Sequence, residues 1–90
     1  MQVSVEYLAQ IKRAAGTPRE TVDLPSGSTL GDLLAALADR HDGAFRDLLI
    51  DAEGRPRRTL LFFLGDQNID ANQTLTDGHV VSILAPMAGG

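Results

Sequence analysis

Ninety residues with a net charge of −4 fit one domain around a single core, too small for a deep catalytic cleft, and disfavour a phosphate backbone as ligand, so no nucleic-acid role is expected. The absence of cysteine excludes disulfides and thiolate metal sites, and with only His41 and His79 present no metal centre is expected. No apolar run approaches the ~20 residues that span a bilayer, and Met1 leads directly into strand-like sequence rather than a signal peptide, so the expectation is a cytoplasmic protein with no membrane partner.

Gln2 to Leu8 alternates, with Val3, Val5 and Tyr7 on one face and Gln2, Ser4, Glu6 and Leu8 on the other, the pattern of a half-buried strand. Ala9 to Ala15 is rich in helix formers and stops at Gly16, which predicts one or two helical turns. Pro18 bars further helix, and Glu20 to Leu24 reads as a shorter strand paired with the first and closed by the turn Pro25-Ser26-Gly27.

Thr29 is placed to cap a helix starting at Leu30, with Asp32 near the positive end of its dipole. Leu30, Leu33, Leu34 and Leu37 recur at i, i+3, i+4 and i+7, with Ala38 and His41 continuing the stripe, so one face of this main helix must be buried. His41 has no partner at useful spacing and reads as a residue of the frayed helix end rather than a base. After Asp42-Gly43, the residues Phe45, Leu48 and Leu49 predict a short helical return over the core edge.

Asp51 to Arg58 is a polar connection whose Arg55, Arg57 and Arg58 read first as a solvated loop, with docking of an acidic partner as the alternative. Thr59 to Leu64 is strand-like with two apolar faces, Leu60, Phe62 and Leu64 against Leu61 and Phe63. Gly65 to Asn68 reads as a turn, Ile69 as the start of a brief return, and Leu75 as an isolated plug into the core. Asp77-Gly78 turns into a last strand, His79 to Leu84, which Pro86 ends.

The order strand, strand, helix, strand, short strand, strand predicts an α+β fold, a mixed sheet of four to five strands covered on one face by one main helix, with the first and last strands parallel neighbours at its centre. Alternation then turns Leu8, Leu61, Phe63, Val80 and Leu84 to the uncovered face, where clustered apolar side chains mark a partner-binding surface. The domain is expected over residues 1–86, followed by a tail, Met87, Ala88, Gly89 and Gly90, that has nothing left to pack against. Glycine accepts almost any backbone conformation, so the pair makes a thin lead to an α-carboxylate, and four extended residues carry it about 13 Å.

This order and ending are where a family becomes visible. The chain resembles the ubiquitin-like β-grasp sulfur carriers of the MoaD/ThiS group from end to end. Tyr7-Leu-Ala-Gln-Ile-Lys-Arg-Ala-Ala-Gly16 is similar to the segment after the first strand of the molybdopterin-synthase small subunit. Leu75-Thr-Asp-Gly-His79, the strand that follows, Pro86 and Gly89-Gly90 resemble the family's closing pattern. Thr29-Leu-Gly31, Phe45 to Asp51 and the final Ala-Gly-Gly are closer to the carrier of actinobacterial cysteine synthesis.

The resemblance implies a protein co-substrate rather than an enzyme. An E1-like adenylating enzyme would use ATP to activate the Gly90 carboxylate, and sulfur would then replace AMP to give a thiocarboxylate for a sulfur-acceptor enzyme or a synthase large subunit. No cofactor would be bound to the carrier itself. A ubiquitin-like modifier joined to lysines, an inert β-grasp interaction domain and a constitutive synthase subunit are the alternatives.

Overall fold

The computed structural model describes residues 1–41 and 43–85. Its elements in chain order are β1 (Gln2–Leu8), α1 (Gln10–Ala15), β2 (Arg19–Asp23), α2 (Leu30–Arg40), α3 (Ala44–Leu49), β3 (Leu61–Leu64), β4 (Gln67–Ile69) and β5 (Val80–Leu84). The five strands form one mixed sheet in the order β2-β1-β5-β3-β4. Only β1 and β5 run parallel, at the centre, paired from Ser4 opposite Val80 to Leu8 opposite Leu84. The two flanking hairpins are antiparallel.

α2 begins where Thr29 places it. The Thr29 hydroxyl accepts the Asp32 amide at 3.3 Å while the Asp32 carboxylate accepts the Thr29 amide at 2.9 Å, a capping box that satisfies two otherwise unpaired donors. Leu30, Leu33, Leu34, Leu37 and Ala38 are buried, so the apolar stripe faces the sheet as its spacing requires. Opposite them lie Val3, Val5, Tyr7, Val22, Phe62, Val81 and Ile83, all in one core cluster. Leu75 is buried with its amide on the Ser28 carbonyl at 2.9 Å, the plug its isolation predicts.

The main helix is joined in the covering layer by the two short helical segments expected after β1 and after Gly43. α1 adds Ile11 and α3 adds Phe45 and Leu49 to the same core, so three helical segments share the work. Leu48, expected to face inward, is 40% exposed, because a six-residue helix buries a single stripe and Phe45 and Leu49 occupy it.

Boundaries shift for local reasons. β3 begins at Leu61 rather than Thr59, since the Leu60 amide turns back onto the Arg57 carbonyl at 3.2 Å before the ladder starts. β2 begins at Arg19, opposite Glu6, and β5 at Val80, one residue later than expected, since the His79 amide closes a turn onto the Thr76 carbonyl at 3.1 Å. Gln67 and Asn68 belong to β4, because Gly65 at φ 59° opens a two-residue turn with positive φ at its first position alone, which glycine tolerates. Leu64, expected under the helix, is half-buried at the core margin. No helix among the described residues is long and apolar enough to cross a membrane.

Candidate functional site

The described chain ends at Ala85, half-buried against the core at the end of the central strand β5. The last ladder pairs place Leu84 between Leu8 of β1 and Leu61 of β3, so both strands flank the end of β5. Met87, Ala88, Gly89 and Gly90, together with the expected domain boundary at residue 86, lie outside the described residues.

At this end of the sheet three leucines stand in register on the uncovered face: Leu8 of β1 opposite Leu84 of β5, and Leu84 opposite Leu61 of β3. One ladder step further in, Glu6, Ser82, Phe63 and Asn68 form a row across four strands, and Val80 follows opposite Ser4. Leu61, Phe63, Val80 and Leu84 are half-buried and Leu8 is 39% exposed. The structure therefore brings the five expected apolar residues onto one face. The described residues leave none of the five fully buried. The row across four strands includes the polar Glu6, Ser82 and Asn68, with Glu6 ion-paired to Arg19 at 3.6 Å, so the surface is apolar at the tail end and mixed further back.

The uncovered face turns a corner at Ala9. This residue has φ 54°, outside the usual range of a side-chain-bearing residue, and it joins the end of β1 to α1. The sharp turn sets α1 over the ends of β1 and β5. A shallow groove of about 420 Å³ opens there, lined by Glu6, Leu8, Ala9, Lys12, Pro18 and Arg19.

A second cluster escaped sequence reasoning. The Tyr7 hydroxyl donates to Glu20 Oε2 at 2.6 Å, His41 Nε2 lies 2.6 Å from the same oxygen, and Arg40 Nη1 donates to Glu20 Oε1 at 3.1 Å. Phe45 stands edge-on to both the His41 ring at 4.5 Å and the Tyr7 ring at 5.3 Å. Burial pushes the Glu20 carboxyl upward, but the hydrogen bonds from Tyr7, His41 and Arg40 outweigh it and hold the group below its ordinary range. Burial, reinforced by the Glu20 carboxylate, pushes the Tyr7 hydroxyl well above its ordinary range.

With donors on both oxygens this carboxylate is a clasp between β2 and the end of α2 and not a poised base. His41, expected to lack a partner, finds one twenty-one residues away across the fold. One signal was present in the sequence: Glu20 shares the inward side of β2 with Val22, since Glu20 stands opposite Val5 and Val22 opposite Val3, and a charge on a covered face requires partners.

A model of the ThiS family matches residues 5–90, from the middle of β1 to the last glycine. The chain belongs to the ThiS family. Among relatives of this ThiS-family chain, a molybdopterin synthase sulfur carrier subunit of Chlamydomonas reinhardtii is 29% identical, and small archaeal modifier protein 3 of Haloferax volcanii is 28% identical; both alignments cover 100% of each chain. Among solved structures, SAMP1 from Haloferax volcanii superposes with a TM-score of 0.89 at 20% identity over 100% of both chains. A complex of subunits 1 and 2 of the molybdopterin-converting factor from Helicobacter pylori contains a chain with TM-score 0.60 and 27% identity, again over 100% of both. The ThiS-family chain thus has the β-grasp fold expected of it, and proteins similar to it are named both as sulfur carriers and as protein modifiers.

Proposed function

We propose that this chain is a sulfur carrier whose reacting group is the Gly90 carboxylate. The observation that supports it above all is the extent of the family match, which runs through the fold and includes Gly89-Gly90. A carboxylate is a poor acyl donor because its leaving group is oxide. In the proposed sequence Gly90 attacks the α-phosphorus of ATP on an E1-like adenylating enzyme, displacing pyrophosphate and forming an acyl adenylate. Sulfide then displaces AMP to leave a thiocarboxylate; alternatively a persulfide does so, and a thiol cleaves the resulting acyl disulfide. The ionised sulfur is a good nucleophile and, being covalently held, does not diffuse away.

In this reading the chain contributes the terminus and a docking surface, while the catalytic groups belong to its partners. The adenylating enzyme is the occupant assigned to Leu8, Leu61, Phe63, Val80 and Leu84, because this face is continuous with the root of the tail. A docked domain turns the search of the terminus for the active site into a local one. A sulfur-acceptor enzyme or synthase large subunit would use the same end in turn, a pairing for which the subunit complex of the Helicobacter pylori relative is the precedent.

The test is intact mass. Incubation with the adenylating enzyme of the same organism, ATP and a sulfide source should raise the mass by the difference between sulfur and oxygen. An unchanged mass alongside proven adenylating activity would remove this reading. The relative named as a small archaeal modifier favours a second one, in which Gly90 is joined to lysines of other proteins. Isopeptide adducts in cell lysates would establish it.

A further inference from the structure

Of the eight basic side chains, Lys12, Arg13, Arg55, Arg57 and Arg58 lie on two segments that adjoin one end of the sheet. β5 ends at the centre of that end, between β1 and β3. The segment that follows β1 there is α1, with Lys12 and Arg13 exposed. The segment that precedes β3 there is the loop holding Arg55, Arg57 and Arg58, also exposed. The tail root is therefore bracketed by two basic segments from opposite halves of the chain.

The loop is built rather than loose. The Asp51 carboxylate accepts the Glu53 and Arg55 amides at 3.0 and 2.9 Å, Ile50 pairs with Pro56, and Arg57 Nε donates to the Asp47 carbonyl at 2.8 Å. Arg57 is thus tied to α3, whereas Lys12, Arg13, Arg55 and Arg58 form no ion pair among the described residues. Asp47, Asp51 and Glu53 are the acids of this region, and against Arg46, Arg55, Arg57 and Arg58 they leave one net positive charge, with both Asp51 contacts made to backbone amides.

The far end of the sheet has the opposite character. Residues 23–33, 65–66 and 76–79, which form its turns and the start of α2, contain Asp23, Asp32, Asp66 and Asp77 and neither lysine nor arginine; β4 runs back from there and carries Asp70 toward the tail end. The terminal ammonium of Met1 is there but is bound to the Leu24 carbonyl at 2.8 Å, and the His79 ring is engaged with Thr76.

The geometry points to a charge-polarised carrier that approaches its partner tail first, its two basic segments meeting an acidic protein rim around the active-site entrance. This deepens the sulfur-carrier reading and rests on it. The rim is assigned to protein and not to the phosphates of ATP because five residues separate Ala85 from the Gly90 carboxylate, a span of about 17 Å when extended, so the domain stops outside a pocket that the tail enters. Exposed charges at such a rim act over roughly a Debye length of 8 to 10 Å at physiological salt, and complementary fields raise association rates more than affinity.

Stopped-flow association with the adenylating enzyme of the mass assay, at several salt concentrations, tests this. Lys12→Glu with Arg13→Glu, and separately Arg55→Glu with Arg58→Glu, should slow association at low salt by roughly tenfold or more and flatten its salt dependence, with unchanged melting curves. Adding Asp23→Lys and Asp66→Lys to the first pair restores the net charge to −4 with the polarity reversed, and association should stay slow. Wild-type rates in both double variants, or recovery in the quadruple variant, would overturn the proposal. Fast, salt-dependent association of wild-type protein that gains no sulfur would instead overturn the carrier reading and leave the steering in place.

Discussion

Glu20 is a charged side chain on the covered face of a sheet, and three donors make that placement tolerable. Its carboxyl is held below the ordinary value of 4.5, so the folded state favours the ionised form more than the unfolded chain does. The stability this confers is complete above the unfolded value and is lost as pH falls through the lower folded one. Glu20→Gln should therefore cost about 2 kcal/mol at neutral pH, the scale of hydrogen bonds to a charged group, and should shrink the gap to wild type as pH drops below about 4.5. Denaturant unfolding of both proteins across that range measures it. A gap that stays constant with pH would show that the clasp does not depend on charge.

At the scale of elements, β3 presents Phe62 to the core and Phe63 to the uncovered face. Phe63→Asp should leave the domain folded, at a cost of about 1 kcal/mol, while abolishing complex formation with the adenylating enzyme. Circular dichroism and a binding assay separate the two effects, and a folded variant that binds normally would remove this face from the interface. The same alternation explains how much of the fold was legible. Val3, Val5 and Tyr7, the leucines of α2, and the two-faced run around Phe62 each carry a period that specifies both the element and its buried side, and the capping box marks where α2 begins. The weight borne by α1 and α3 was not legible, because six residues hold too few turns to show a stripe. The limits of β4 depended on one glycine with positive φ. The Glu20 cluster was hidden for another reason: its members come from β1, β2 and α2, and no spacing along the chain relates them.

For the whole molecule, function is proposed to reside in Met87, Ala88, Gly89 and Gly90, which follow the last strand in the sequence. Deleting Gly90, or replacing Gly89 with valine, should abolish adenylation and sulfur transfer while leaving the melting temperature within about a degree of wild type. The core cluster among the described residues is drawn from Val3 to Ile83. Differential scanning calorimetry alongside the mass assay decides this, and a large fall in melting temperature would place the two glycines in the packed structure.

The parallel pairing of β1 with β5 has a kinetic consequence. Ser4 and Val80, ladder neighbours, are separated by nearly the whole chain, and closing so long a loop comes before any reward from the contact. Each hairpin can form alone, but the leucine row of Leu8, Leu84 and Leu61 exists only after the two ends of the polypeptide have met. A half-folded copy therefore carries the terminal glycines without the assembled surface proposed to dock them. Under the proposed sulfur-carrier reading, folding itself would act as a proofreading step, in which only a chain that has joined its first strand to its last offers the docking surface.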